Sequence, residues 1–169
     1  MATTDNKLSS IVHNISKLPT NLRTRGLTFA VGSVVKFAGT AKVEILEMTA
    51  TRLHGRIRNR KRVQNHIGSV HAAAMALLAE SVTGLVVGMS VPDSRTPVIK
   101  SMKVDYIRRA QGDLEAVATL TQADVDRIRV TEKGDITVPV KVTDADGNEP
   151  IQSEMIWAWT PKRTRKALG

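Results

Sequence analysis

The chain has 169 residues and a formal net charge of +9 at pH 7. It contains no cysteine, which excludes disulfides, thiolate catalysis and cysteine-ligated zinc, and is compatible with a cytoplasmic location. Aromatic residues are only 3% of the sequence, so its core must be aliphatic, and residues 1–169 are long enough to form one domain.

The first stretch, MATTDNKLSS, lacks the basic-then-apolar pattern of a secretory signal. Leu8, Ile11, Val12, Ile15 and Leu18 then recur at helical spacing, which predicts a short amphipathic helix within residues 1–20, stopped at Pro19. His13 falls on its polar side as a surface histidine. A loop is expected next, then a short apolar piece from Val34 to Phe37, broken at Gly39. Residues 42–49 read as a strand with Val43 and Ile45 on one face. Residues 52–60 read as its antiparallel partner, joined near Met48–Arg52. That second strand places Arg52, His54, Arg56, Arg58 and Arg60 on one side, facing solvent or a bound anion.

A different pattern begins at Val63. VQNHIGSVHAAAMALLAESVTGLVVG is a polar turn followed by an apolar helix, expected from Ser69 to Gly88. Its apolar length alone would suggest a membrane span, but Glu80 in its middle makes that costly, and a buried helix is expected instead. Beyond Pro92 and Pro97, four strands are expected at 99–107, 113–122, 135–143 and 151–159. Ile128 and Val130 would extend or precede the third of these, and Pro139 marks a bulge or an edge within it. DADGNEP between the last two is a hairpin turn. This order is not βαβ alternation. It predicts an α+β fold in which an antiparallel sheet wraps one long central helix. A basic tail closes the chain over 161–169.

The chemistry centres on that helix. The first-turn amides have no intrahelical partner and suit a developing oxyanion. Ala72 and Ala73 are small enough to let a substrate approach them. His71 and Glu80 are nine residues apart, about 900° of rotation and ~13 Å of rise, so they point to opposite sides. If both serve one site, a second subunit must complete it, for example by packing two antiparallel copies of the helix across a two-fold axis. Burial would raise the pKa of Glu80 and suit it as general base or nucleophile. The alternative is a buried glutamate satisfied by Ser81 or Thr83. No zinc-protease, calcium-loop, P-loop, dinucleotide or serine-elbow motif occurs, and no metal is expected. The basic segments Arg52–Arg62 and Lys162–Lys166 suit a polyanion, either nucleic acid or a phosphorylated cofactor, or form a solvated basic edge; the aromatics do not interleave with them as single-strand binding would usually require.

Asn65-x-x-Gly68-x-x-His71-Ala72-Ala73, followed by Leu78 and Glu80, resembles the N-x-x-G-x-x-H-G-G…D/E signature of hotdog-fold acyl-CoA thioesterases of the phenylacetate-pathway type. Within them it is most similar to the DUF4442 group, which often shows an N-H-x-G-x-x-H-A opening. KSMKVDYIRRAQGDLEAVATL adds a weaker likeness, and together these span roughly Val34 to Trp159. The resemblance implies a hotdog fold that acts as a homo-oligomer, a dimer or a dimer of dimers, on an acyl-CoA. It implies hydrolysis through Glu80, with Asn65 orienting water or thioester and the Ala72 amide polarising the carbonyl. Gly68, His71 and Ala73 would shape the active-site turn. Arg108 and Arg109, with Arg58 and Arg60, would meet the CoA phosphates. Coenzyme A enters as part of the substrate, and no separate cofactor, membrane or nucleic acid is implied. Alanines in place of both glycines keep open a non-catalytic acyl-CoA or fatty-acid binder of the same fold.

Overall fold

The structure, a computed structural model, describes residues 6–162. Residues 163–169 of the basic tail lie outside the described residues. In chain order the elements are α1 (Lys7–Ser16), α2 (Thr20–Val34), α3 (Lys36–Ala41), β1 (Glu44–Met48), β2 (Arg52–Ile57), α4 (Ala72–Gly88), β3 (Arg95–Tyr106), β4 (Leu114–Thr119), α5 (Gln122–Val130), β5 (Gly134–Thr137), β6 (Val140–Asp144) and β7 (Ile151–Pro161). The strands form two antiparallel sheets, ordered β1-β2-β4-β6 and β3-β7-β5.

Helix α4 is the axis of the fold. It packs on β2, β4 and β6 of one sheet and on β3 and β7 of the other. This explains its missing polar face: Met75, Leu78, Ala79, Val82, Leu85, Val86 and Val87 are all buried, and they point in most directions around the axis. The sheets meet the helix through alternating residues. Leu53 and Ile57 of β2, Leu114, Ala116 and Ala118 of β4, and Met155, Trp157 and Trp159 of β7 are buried. Trp157 crosses α4 at Gly84, where an added Cβ would lie 2.4 Å from the indole. The indole N–H donates to Thr83 Oγ1 at 2.9 Å.

The expected β1–β2 pair forms, with Met48 opposite Leu53 and Glu44 opposite Arg56. Four expectations need correction. The stretch read as a loop before Val34 is helix α2, and the apolar piece from Val34 to Phe37 spans the end of α2 and the start of helix α3. Two glycines and several threonines weaken the helical signal of α2. Burial of Leu27 and Val31 and a hydrogen bond from the Ile45 amide to Thr28 Oγ1 supply what propensity lacks. Ile128 and Val130 lie in helix α5, not in a strand. Thr121 and Asp124 form a reciprocal capping box that starts it, and Val125 and Ile128 are its buried residues.

The strand expected over 135–143 is two strands in two sheets. Its first half pairs with β7 and its second with β4. The exchange falls at Pro139. The Val138 amide still donates to Met155 O, whereas Pro139 O already accepts from the Thr119 amide. Proline has no N–H to give either ladder, so it sits where the chain changes partner. DADGNEP is a turn, held by the Asp144 carboxylate accepting from the amides of Gln111, Asp146 and Asn148. It joins strands of different sheets rather than two arms of one hairpin.

Strand β3 stands apart. It is twelve residues long, lies at the edge of its sheet and is exposed along most of its length. Val98, Ile99, Met102 and Tyr106 are exposed on it. No helix among the described residues is long and apolar enough to cross a membrane.

Candidate active site

The loop before α4 is built around Asn65. Its Oδ1 accepts from the amides of Ile67 and Ser69, both at 3.1 Å. Its own amide donates to Ser69 O at 2.9 Å, and the Gly68 amide donates to Asn65 O at 3.1 Å. The chain reverses at Gly68, with φ +77, a conformation that any side chain would strain. Other residues clamp the loop from outside. Arg109 donates through Nε to Ser69 Oγ and through a terminal nitrogen to Ile67 O, each at 3.0 Å. Asn59 Nδ2 donates to Gly68 O at 3.0 Å.

This loop delivers the start of α4. His71 is the N-cap residue, in extended backbone, and its amide donates to Val63 O at 2.7 Å. Its Nδ1 accepts from the Ala73 amide at 3.0 Å. That bond assigns the ring proton to Nε2 and satisfies one first-turn amide. The Ala72 amide is left without a protein acceptor among the described residues, at an exposed helix N-terminus. The helix therefore starts at Ala72 rather than at Ser69. Tyr106, at the end of β3, donates its hydroxyl to Ala72 O at 2.9 Å. Burial raises the pKa of that phenol.

Glu80 lies two turns further along. Ala76, Glu80, Gly84 and Gly88 form an i, i+4 stripe, the least covered side of the otherwise buried helix. Burial pushes the Glu80 carboxyl above its ordinary range, and a 3.4 Å hydrogen bond from Ser81 Oγ pulls weakly the other way. No cation pairs with it among the described residues. Thr83 does not serve it: that hydroxyl donates to backbone carbonyls and accepts from Trp157. Ala72 and Glu80 are eight residues apart, ~12 Å along the axis, so one chain does not bring them to one reacting atom.

A cavity of about 280 Å³ opens beside this helix start, between α3 and α4. Phe37, Val63, His71, Ala73, Ala74 and Leu77 are among its walls. Among the described residues no three His, Asp or Glu side chains converge as a metal-ligand set.

The arginines named from the sequence all have internal partners. Glu44 accepts from Arg56 at 2.6 Å and from Arg58 at 2.7 Å, and Arg60 approaches it to 3.7 Å. Burial pushes Glu44 up, but the bonds and charges of Arg56 and Arg58 outweigh it and hold the carboxyl below its ordinary range. Arg108 donates to Asn148 Oδ1 at 2.9 Å, and Arg109 clamps the Asn65 loop. The row along β2 is therefore largely an internal ion cluster. Two contacts were not visible in the sequence. Neither the Tyr106 contact with Ala72 nor the Arg109 clamp on Ser69 has a local signal, because both join segments more than thirty residues apart.

Two antiparallel sheets wrapped around one long helix, with β3 left as an open edge, define a hotdog fold. The chain is similar to the crystal structure of a protein of unknown function from Pseudomonas aeruginosa, a probable thioesterase: 22% identity, TM-score 0.73, covering 86% of this chain and 97% of that one. It is similar to a thioesterase from Haemophilus influenzae (13% identity, TM-score 0.67, 85% and 94% covered). A thioesterase family protein from Silicibacter pomeroyi shares the same fold (12% identity, TM-score 0.62, 80% and 96% covered). No curated protein matches the sequence. The family model described as a domain of unknown function (DUF4442) matches residues 23–159, and the chain belongs to that family.

Proposed function

We propose that the chain hydrolyses the thioester of an acyl-CoA, at a site completed by a second copy of itself. The observation that carries this reading is Glu80: a half-buried carboxylate with a raised pKa, without a cation partner among the described residues, on the least covered side of a buried helix. A residue kept only for stability at that place would be expected to be apolar or paired.

The roles follow from what each group has free. The Ala72 amide donates to the carbonyl oxygen and stabilises the negative charge that grows on it. Glu80 of the facing copy takes a proton from water as the water oxygen bonds to the carbonyl carbon, or attacks that carbon itself. The C–S bond then breaks, and the sulfur leaves as coenzyme A thiol with the proton that Glu80 took from water; where Glu80 attacks instead, the leaving thiolate takes its proton from solvent and a water molecule hydrolyses the mixed anhydride, releasing the acid and restoring the carboxylate. Asn65 has spent its oxygen on its own loop, so its Nδ2 is the group available to orient water or thioester. His71 and Gly68 set the turn, and Ala73 lines the adjacent cavity. The step uses no resident metal or cofactor, and we place it in the cytoplasm.

Edge strand β3 supports the two-copy site. Twelve residues of open edge with exposed Val98, Ile99 and Met102 invite pairing with an identical strand. In the proposed dimer, or dimer of dimers, Glu80 of one copy serves the helix start of the other.

The test is a panel of acyl-CoA substrates with free thiol measured directly. Thiol release that is lost in Glu80→Gln supports the proposal. Binding of acyl-CoA without thiol release favours the non-catalytic binder instead, and neither binding nor release removes both.

A further inference from the structure

The α2–α3 pair carries a basic cleft that the chemistry above does not use. Arg25, Thr28 and Phe29 lie at i, i+3 and i+4 of α2 and so share one face. Lys36 and Thr40 share a face of α3. The two helices meet backbone to backbone: a Cβ on Gly39 would sit 2.6 Å from Gly32 O. That contact lets them close at one end and leaves an open cavity of about 630 Å³, lined by these five residues and Lys42 among others. The volume suits a nucleotide-sized ligand.

The charges in this cleft differ from those on β2. Arg25, Lys36 and Lys42 are exposed, and none has an ion-pair partner among the described residues. Phe29 is 77% exposed beside them. Lys42 caps α3 in the left-handed conformation, φ 59, where glycine or asparagine is the usual choice. Three unpaired cations around an exposed phenyl ring match a phosphorylated aromatic base better than a bare anion. Thr40 lines both this cleft and the apolar cavity that reaches His71 and Ala73. The two spaces therefore adjoin, one basic and one apolar.

We infer that this cleft holds the phosphorylated adenosine end of coenzyme A. The cations meet the phosphates and Phe29 stacks on adenine. The pantetheine arm then runs past Thr40 toward the start of α4. The inference rests on the acyl-CoA reading, and it moves the phosphate site away from Arg58, Arg60, Arg108 and Arg109, whose side chains are already engaged. An anionic lipid surface is the competing partner, since Val34 and Phe37 are also exposed on these helices. The cleft is concave, and its cations line its walls, which favours the small ligand.

The experiment is calorimetric titration with adenosine 3′,5′-bisphosphate. Wild type is expected to bind it, more weakly as salt rises. Arg25→Glu and Lys36→Glu should each weaken binding at least tenfold, and Phe29→Ala about tenfold. All three positions are exposed, so circular dichroism should show an unchanged fold. In kinetics, the same variants should lower the ratio of kcat/KM for acyl-CoA over that for acyl-pantetheine. No binding by wild type at millimolar nucleotide, or binding indifferent to all three variants, overturns the inference. So does sedimentation with phosphatidylglycerol vesicles, lost in the variants, without nucleotide binding. The titration does not depend on hydrolysis. Nucleotide binding without thiol release keeps the cleft and removes the hydrolase reading, whereas thiol release without nucleotide binding does the reverse.

Discussion

Replacing Glu80 with glutamine separates catalysis from stability at one atom. Glutamine keeps the size of the side chain and an oxygen that can still accept from Ser81, a bond already long at 3.4 Å. Little packing is therefore lost, and the fold should be unchanged. Hydrolysis should fall by roughly 10²–10⁴, the usual contribution of a positioned general base, or about 2.7–5.5 kcal/mol in the barrier. Stability should move the other way. Burial raises the folded-state pKa of Glu80 above its unfolded value, so the native state holds the proton more tightly. Below both values the two proteins are equivalent. As pH rises through the carboxylate range the wild type must ionise a half-buried acid, and it loses stability that glutamine does not lose. The melting temperature of Glu80→Gln should therefore equal that of wild type near pH 4 and exceed it at pH 8. The assays are thermal melts at both pH values and free-thiol release at neutral pH. Unchanged turnover, or a variant less stable than wild type at pH 8, would refute the role assigned to this carboxylate.

Three further outcomes are expected. Asn65→Asp keeps the oxygen that holds Ile67 and Ser69 but removes the Nδ2 donor, so thiol release should drop while the melting curve shifts little; full activity would return Asn65 to a purely loop-forming role. Thr83→Val leaves the buried Trp157 N–H without its acceptor and should cost about 1–3 kcal/mol, or roughly 2–4 °C per kcal/mol in a chain of this size, with Thr83→Ser close to wild type. Met102→Asp places a charge on the open β3 edge; size-exclusion chromatography should show a monomer, and hydrolysis should be lost with it, whereas an unchanged oligomer would place the two-copy contact elsewhere.

Residues close in sequence determined a good part of this protein. Alternation in β2 correctly sorted buried from more exposed side chains. The 3.6-residue pattern located α4, and Asn65 and Gly68 specified the loop in front of it, because turn chemistry acts within four residues. Glu80 was conspicuous for the same reason: a charge stands out against its neighbours on an apolar helix. Tertiary structure decided the remainder. Partner choice split one alternating run at Pro139 between two sheets, since both halves alternate alike and only the strand beside each differs. Packing of Leu27 and Val31 made a helix of α2 despite its glycines, and so created the basic cleft. Thr121 and Asp124 turned α5 into a helix although Ile128 and Val130 are spaced as on one face of a strand. The arginines of β2 looked available for an anion until β1 set Glu44 across from them. Which first-turn amide stays free was also decided in three dimensions, when His71 turned its Nδ1 to Ala73 and left Ala72. Periodicity records which way a side chain faces. What it faces is contributed by distant parts of the chain, and for Glu80 we propose a second copy of it.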